Sequence, residues 1–287
     1  MKKQYFKYIA AVLLFGSNGI IAKGINLSST ETVLLRTLIG SIFLLIVFFT
    51  AKNNFTFYNN IKSFVFLAIS GISMGASWML LYEAYKQVGV SLATLLYYCG
   101  PVIVMIFSPL LFKERLTAPK IAGFLAVLLG VFLLSSSPEE GSINRFGMFC
   151  GIMSAITYSV MVISNKKATG IVGFENSVLQ LIISFITVAV YMAFKQGIIF
   201  PIPPESIAPI LVLGILNTGV GCYLYFSSIG SLPAQTVAVC GYIEPLSAVV
   251  LSYLFLHEVL MPLQITGAVL ILGGAMLGEC QKSAKRT

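Results

Sequence analysis

Apolar side chains run along this 287-residue chain in blocks of about 20, each closed by a short cluster of Lys, Asn, Pro, Ser or Gly. A helix rising 1.5 Å per residue needs that length to cross the hydrocarbon of a bilayer. Ten such blocks are predicted as spanning helices, at about 7–25, 32–51, 63–84, 90–112, 119–136, 146–165, 173–194, 207–228, 233–256 and 261–279. The polar connections are too short to hold a soluble domain. The expectation is therefore one membrane domain, residues 1–287, of all-α class.

Composition supports this reading. Hydrophobic residues make up 57% of the chain and charged ones only 10%, against about 25% charged in an ordinary soluble domain. Mean hydropathy is +0.93. The formal charge of +8 does not point to nucleic acid, because Lys and Arg lie in small clusters between apolar blocks, without a basic helix face. They read as topology signals. With the N-terminus inside, 13 of the 18 Lys and Arg, among them Lys2, Lys3, Lys7, Lys113, Arg115, Lys120, Lys166 and Lys167, fall on the cytoplasmic side. Lys23, Lys86, Arg145 and Lys195 fall outside, and Arg36 lies within the second span. Both termini are thus expected in the cytoplasm, with the protein in the plasma membrane. The Met1-Lys2-Lys3 start resembles a signal peptide, but no small-x-small cleavage pattern follows, so the first block is read as a retained span.

The chain also repeats. A shift of 144 residues carries Glu31 onto Glu175, Gly75 onto Gly219, Tyr98 onto Tyr242, Pro101 onto Pro245, Glu114 onto Glu258, Gly123 onto Gly267 and Gly130 onto Gly274. This divides the chain into repeats at 1–138 and 144–280, with five spans each. Five is odd, so the second copy must enter the membrane from the opposite side. Ten transmembrane helices in two inverted five-helix repeats are an architecture of alternating-access carriers.

The stretches "SLATLLYYCGPVIVMIFSPLLFKERLT" (Ser91–Thr117), "GYIEPLSAVVLSYLFLHEVL" (Gly241–Leu260) and "LLRTLIG" (Leu34–Gly40) resemble the EamA-type modules of the drug/metabolite transporter superfamily. The resemblance covers essentially the whole chain. It implies helices 1–4 and 6–9 around a central cavity, with helices 5 and 10 to one side. It also implies transport of small metabolites, commonly amino acids and related compounds, often outward. It fixes no substrate.

Glu244, before Pro245 in the ninth span, is the first candidate for contact with cargo. A charge at membrane mid-depth costs about 2.5–3.5 kcal/mol on insertion scales, so it is expected to face a polar cavity. Two readings stand: a site for a substrate amine or a coupling proton, and a carboxyl held neutral or bonded to a neighbouring helix for packing. Pro245 and its counterpart Pro101 lack the N–H of a helix turn and are expected to act as hinges. Gly100 stands where Glu244 would have its match, so the acid belongs to one repeat only.

Arg36 could bind a carboxylate or send its charge to the surface along its stem; its counterpart is Gln180. Aromatic residues recur inside the spans, and Tyr98, Tyr242, Trp78, Tyr82 and Tyr158 are the candidates for a cage around an ammonium or ring. Tyr98 and Tyr242 lead because the repeats match them. Asn18 adds a hydrogen-bonding group, as do Asn165 and Asn217, and each could equally serve a neighbouring helix. Glu83 is expected to pair with Lys86 at helical spacing. Glu114 and Glu258, ahead of further helices, are expected to cap them. Close-packing glycines at Gly147/Gly151 and Gly274/Gly278 suit helix contacts within the chain or, for the tenth helix, a homodimer.

Other classes fit less well. The sole histidine is His257, and H-E-x-x-H, G-x-S-x-G and phosphate-loop patterns are missing from the sequence, so neither an enzyme nor a bound cofactor or metal is expected. A channel or receptor does not call for an inverted repeat. A carrier of anionic metabolites such as sugar phosphates or nucleotide sugars would need several cations in its cavity, and the sequence offers Arg36 alone. The expected partners are a small amine-bearing substrate and the lipid bilayer, with proton coupling as the second use of Glu244.

Overall fold

The computed structural model describes residues 2–22, 24–88, 93, 96–134, 144–195, 197–198, 200–256 and 262–279. Their secondary structure is helical throughout. Among the described residues, six helices are long and apolar enough to cross a membrane: α1 (Lys2–Ala22), α2 (Ser29–Thr50), α3 (Ile61–Val88), α6 (Arg145–Lys167), α7 (Gly173–Lys195) and α8 (Pro204–Ile229). The shorter helices are α4 (Cys99–Phe112), α5 (Ala118–Leu134), α9 (Ala234–Gly241), α10 (Ile243–Leu256) and α11 (Pro262–Glu279). The expected cap Glu258 lies outside the described residues, as do Lys23, His257 and Cys280.

Local chemistry fixes where several helices start. Ser28 and Glu31 form a capping box at α2: the Ser28 hydroxyl accepts from the Glu31 amide, and the Glu31 carboxylate accepts from the Ser28 amide. Asn144 caps α6 by accepting from the Phe146 amide at 2.9 Å. Glu175, in the first turn of α7, reaches the 56–57 segment instead. Its carboxylate accepts from the Thr56 amide (2.5 Å), the Thr56 hydroxyl (2.7 Å) and the Phe57 amide (2.8 Å).

Both expected hinges sit at real breaks. α4 begins just after Tyr98 and α10 just after Tyr242, so each proline falls in the first turn of a helix, where no N–H partner is required. The backbone at the two breaks is nearly the same, φ −71° and ψ 0° at Tyr98 against φ −71° and ψ −3° at Tyr242. The Tyr242 hydroxyl donates to the Tyr98 carbonyl at 2.7 Å, joining one break to the other. Tyr242 is wholly buried. Removing only that hydroxyl, in Tyr242→Phe, takes one buried hydrogen bond from the carbonyl that also opens α4 and should cost roughly 0.5–1.5 kcal/mol. A fall in the thermal midpoint of the purified protein is the expected readout, and an unchanged midpoint would deny the bond any weight.

Two other features of the helices matter for the site. α1 is interrupted by a turn at Ser17, and α8 contains an eight-residue π-helical segment, Leu213–Val220. Within that segment the Thr218 hydroxyl donates to the Leu213 carbonyl at 2.9 Å.

Packing joins distant parts of the sequence. α3 lies along α6, where the Ser70 and Ser77 hydroxyls donate to the carbonyls of Met161 (2.8 Å) and Ser154 (2.9 Å). α5 lies on α11 at backbone contact distance. A Cβ on Gly130 would meet the Gly267 carbonyl at 2.6 Å, and one on Gly274 would collide with the Gly123 carbonyl. The outward faces are apolar, with Leu110, Phe194, Val269 and Met276 exposed, as lipid contact requires.

Some local expectations change. Glu83 accepts from Gln87 (2.9 Å), one full turn on, and not from Lys86. Gln87 in turn accepts from Asn144 (2.7 Å), so the group ties α3 to the start of α6. Glu114 does cap a helix, but a remote one: its carboxylate accepts from the amides of Ala234 (2.7 Å) and Gln235 (3.1 Å), which open α9. Gly147 and Gly151 face Gln87, Val88 and Leu96 of the same chain.

Candidate functional site

The helices surround a cavity of about 60 Å³, several times the minimum for one water molecule. Helical spacing explains most of its wall. Tyr8, Val12 and Phe15 share one face of α1, Met74 and Trp78 are one turn apart on α3, and Cys222, Tyr225 and Phe226 share a face of α8. Tyr97 precedes the first break, Tyr158 and Met161 come from α6, and Gly241 and Glu244 flank the second break. Asn18 enters just past the interruption of α1.

The wall is aromatic with few polar groups. Tyr8 and Tyr225 stand 5.4 Å apart between ring centroids, and Tyr97 meets Tyr158 edge-on at 5.3 Å. Their hydroxyls are largely engaged. Tyr8 donates to the Val237 carbonyl (2.7 Å), and Tyr158 shares a hydrogen bond with Tyr225 (3.3 Å). Among the described residues Glu244 is the one acid in this wall. Among the described residues, no hydrogen bond or ion pair holds its carboxyl. That carboxylate therefore meets the cavity with its acceptors available, surrounded by ring faces that themselves attract cations.

Arg36 stands behind the wall. It is 2% exposed, and its guanidinium carbon lies 4.4 Å from the centre of the Trp78 ring. Its Nε donates to the Thr218 hydroxyl (2.9 Å), Nη1 to the Tyr82 hydroxyl (3.4 Å) and Nη2 to the Asn18 side-chain oxygen (3.5 Å). The π-helical turn brings Thr218 and Asn217 to this point. Asn217 donates to the Leu14 carbonyl (2.8 Å), the Ser17 hydroxyl (2.8 Å) and the Asn18 oxygen (3.0 Å), which bridges the interruption of α1.

The structure thus brings Glu244, Trp78, Tyr158 and Asn18 together in one wall. Arg36 and Tyr82 form the layer behind Asn18 and Trp78. Tyr98 and Tyr242 are buried at the two breaks and are not among the lining residues, with Tyr242 bonded to the Tyr98 carbonyl. Pro101 and Pro245 open α4 and α10. Asn165 lies elsewhere, in an amide cluster with Asn176 (2.9 Å) and Gln180 (3.2 Å). Tyr8, Phe15, Met74, Met161, Cys222 and Phe226 line the cavity without having been singled out from the sequence. The spacing of Tyr8 seven residues before Phe15 and ten before Asn18 was the available signal.

The profile of the EamA-like transporter family matches residues 3–136 and again residues 145–278. The uncharacterized transporter YxxF of Bacillus subtilis strain 168 is 22% identical over 288 residues, covering 97% of this chain and 90% of that protein. The threonine/homoserine exporter RhtA of Escherichia coli K12 is 24% identical over 211 residues, covering 73% of this chain and 69% of its own. A solved crystal structure superposes with a TM-score of 0.82 at 17% identity, covering 96% of this chain and 97% of the other.

Proposed function

The chain belongs to the EamA-like transporter family, and from that premise we propose that it carries amino acids or related amine-bearing compounds out of the cell by alternating access. It is a multi-pass membrane transporter and not an enzyme, in keeping with its family and relatives. The finer reading has ten spans in two inverted repeats, both termini in the cytoplasm and the protein in the plasma membrane. The shared backbone at Tyr98 and Tyr242 supports the repeat, as do the reciprocal glycine contacts of α5 and α11 and the two family matches. Rocking about the Pro101 and Pro245 breaks would exchange the conformations of the two halves and so alternate access.

A single observation carries the cargo assignment: the Glu244 carboxyl opens on an aromatic cavity with no fixed partner among the described residues. An ammonium group satisfies both the acid and the ring faces. RhtA, named for threonine and homoserine export, makes those two amino acids the first probes.

Glu244→Gln keeps the shape and removes the charge. A charged hydrogen bond is worth roughly 1.5–3 kcal/mol, so binding should weaken about tenfold to a hundredfold. The measurement is affinity and flux in proteoliposomes across a panel of amino acids. Unchanged affinity, rate and pH dependence would remove Glu244 from the mechanism, both as amine site and as proton carrier.

A further inference from the structure

We propose that Arg36 is the specificity-determining residue that reads the cargo's carboxylate, so that the site selects zwitterions over plain amines. This rests on Glu244 taking the amino group.

The argument begins with charge. Arg36 is buried inside a membrane-spanning helix, yet its hydrogen-bond partners, Thr218, Tyr82 and Asn18, are all neutral. Among the described residues no carboxylate makes a hydrogen bond to this guanidinium, and Glu244 acts on it only across space, so its donors still call for an anion in contact. A guanidinium has five N–H donors, and three of Arg36's have partners. Only Nε is held at an ordinary length. The two terminal nitrogens make contacts of 3.4 and 3.5 Å, at the weak end of hydrogen bonding. Those terminal nitrogens are the fork that grips a carboxylate in bidentate fashion.

Position adds to this. Asn18 and Trp78, both in contact with the guanidinium, also line the cavity. Trp78 lies over the guanidinium, so the fork sits one side chain behind the cavity surface. The rest of the layer is fixed. Thr218 gives its proton to the Leu213 carbonyl and so presents a lone pair to Nε, while Asn217 locks Asn18 to the broken turn of α1. The Arg36 stem is thus anchored while its end remains underused.

The two halves of the chain sharpen the point. Gln180, the counterpart of Arg36, lies in a neutral amide cluster with Asn165, and Gly100 stands opposite Glu244. Each charge was placed in one half only, and the two flank one cavity from different helices. A zwitterion satisfies both. A plain amine leaves the guanidinium without its anion, and a simple anion meets Glu244.

The test uses the full-length protein in nanodiscs and isothermal titration. The probes are L-threonine, L-homoserine and L-phenylalanine, each beside its decarboxylated amine: 1-amino-2-propanol, 3-amino-1-propanol and phenethylamine. Wild type should bind the acids more tightly than the amines. Arg36→Gln should weaken the acids by roughly tenfold to a hundredfold and leave the amines unchanged. Arg36→Lys, which keeps the charge but not the fork, should fall between, and it serves as the test variant if Arg36→Gln does not fold. Equal losses for acids and amines would make Arg36 a structural residue and overturn the proposal. So would an unaltered acid-to-amine ratio, or a wild type that binds none of the three zwitterions. Failure of the Glu244 reading is seen separately, as Glu244→Gln leaving both acids and amines unaffected.

Discussion

Gly274→Val is expected to destabilise the protein by about 3 kcal/mol, at the upper end of what overpacking costs. A Cβ at Gly274 collides with the Gly123 carbonyl and meets Val127 Cγ2 at 2.9 Å and Val127 N at 3.0 Å. Two of these three atoms are backbone, which cannot rotate away. The only relief is to move α11 off α5. Gly130 has the reciprocal problem, with the Gly267 carbonyl at 2.6 Å and Ile271 N at 3.0 Å. Separating the helices relieves both collisions at once, so Gly130→Ala combined with Gly274→Ala should cost less than the sum of the two. Gly273→Ala is the matched control, since a Cβ there meets nothing within 4 Å. Thermal midpoints of the detergent-purified variants decide it. Neither α5 nor α11 lines the cavity, so cargo affinity of the folded fraction should not change. Equal midpoints for the variants at Gly273 and Gly274 would contradict the close approach.

The six helices among the described residues that are long and apolar enough to cross a membrane were legible because lipid demands apolar side chains along a whole helix, which leaves a strong signal in composition. The breaks were legible because proline lacks an N–H. A proline is expected to open its helix about one turn ahead of itself, and the backbone yields there, at Tyr98 and Tyr242, with the prolines in the first turn of the next helix. Capping was legible in kind but not in partner. An acid ahead of a helix reads locally as that helix's cap, yet Glu114 serves α9, more than a hundred residues on. Only the packing of one half against the other brings them together.

The cavity was harder to read for a related reason. In a soluble helix the buried face is the apolar one, and period 3.6 reveals it. In α1 or α8 every face is apolar, so Tyr8 and Cys222 do not stand out from residues that meet lipid. Charged and amide groups do stand out in an apolar span, which is why the sequence points to Glu244 and Asn18, both in the wall, and to Arg36 behind it. Repeat matching favours Tyr98 and Tyr242, which are buried at the two breaks. Matching selects residues that do the same structural work twice, whereas the two charges around the cavity are those the repeats do not share.

Glu114→Ala together with Lys166→Met is expected to open the end of the bundle where α8 turns into α9. That turn is gripped from several sides. Lys166 Nζ donates to the carbonyls of Ile229 (3.2 Å) and Leu232 and lies 5.4 Å from the Phe112 ring centre. Lys120 donates to the Gln235 side chain at 2.5 Å, and Gln235 donates to Ser108 at 3.0 Å. Glu114 holds the first amides of α9, where a carboxylate also suits the helix dipole. Ala234 and Gln235 are buried, so the double variant strands two amides together with the Leu232 carbonyl, while the Ile229 carbonyl keeps the Leu232 amide at 3.3 Å. Each lost charged bond is worth roughly 1.5–3 kcal/mol, enough to raise the open population about tenfold or more. Cys222 reports the change, because it lines the cavity on the same helix that ends at this turn. With the other four cysteines replaced, a membrane-impermeant thiol reagent should label Cys222 faster in the double variant, and only from the face that carries Lys166. Inside-out and right-side-out vesicles separate the two faces. An equal gain from both would indicate general loosening, and no gain would mean that the clasp does not close the cavity.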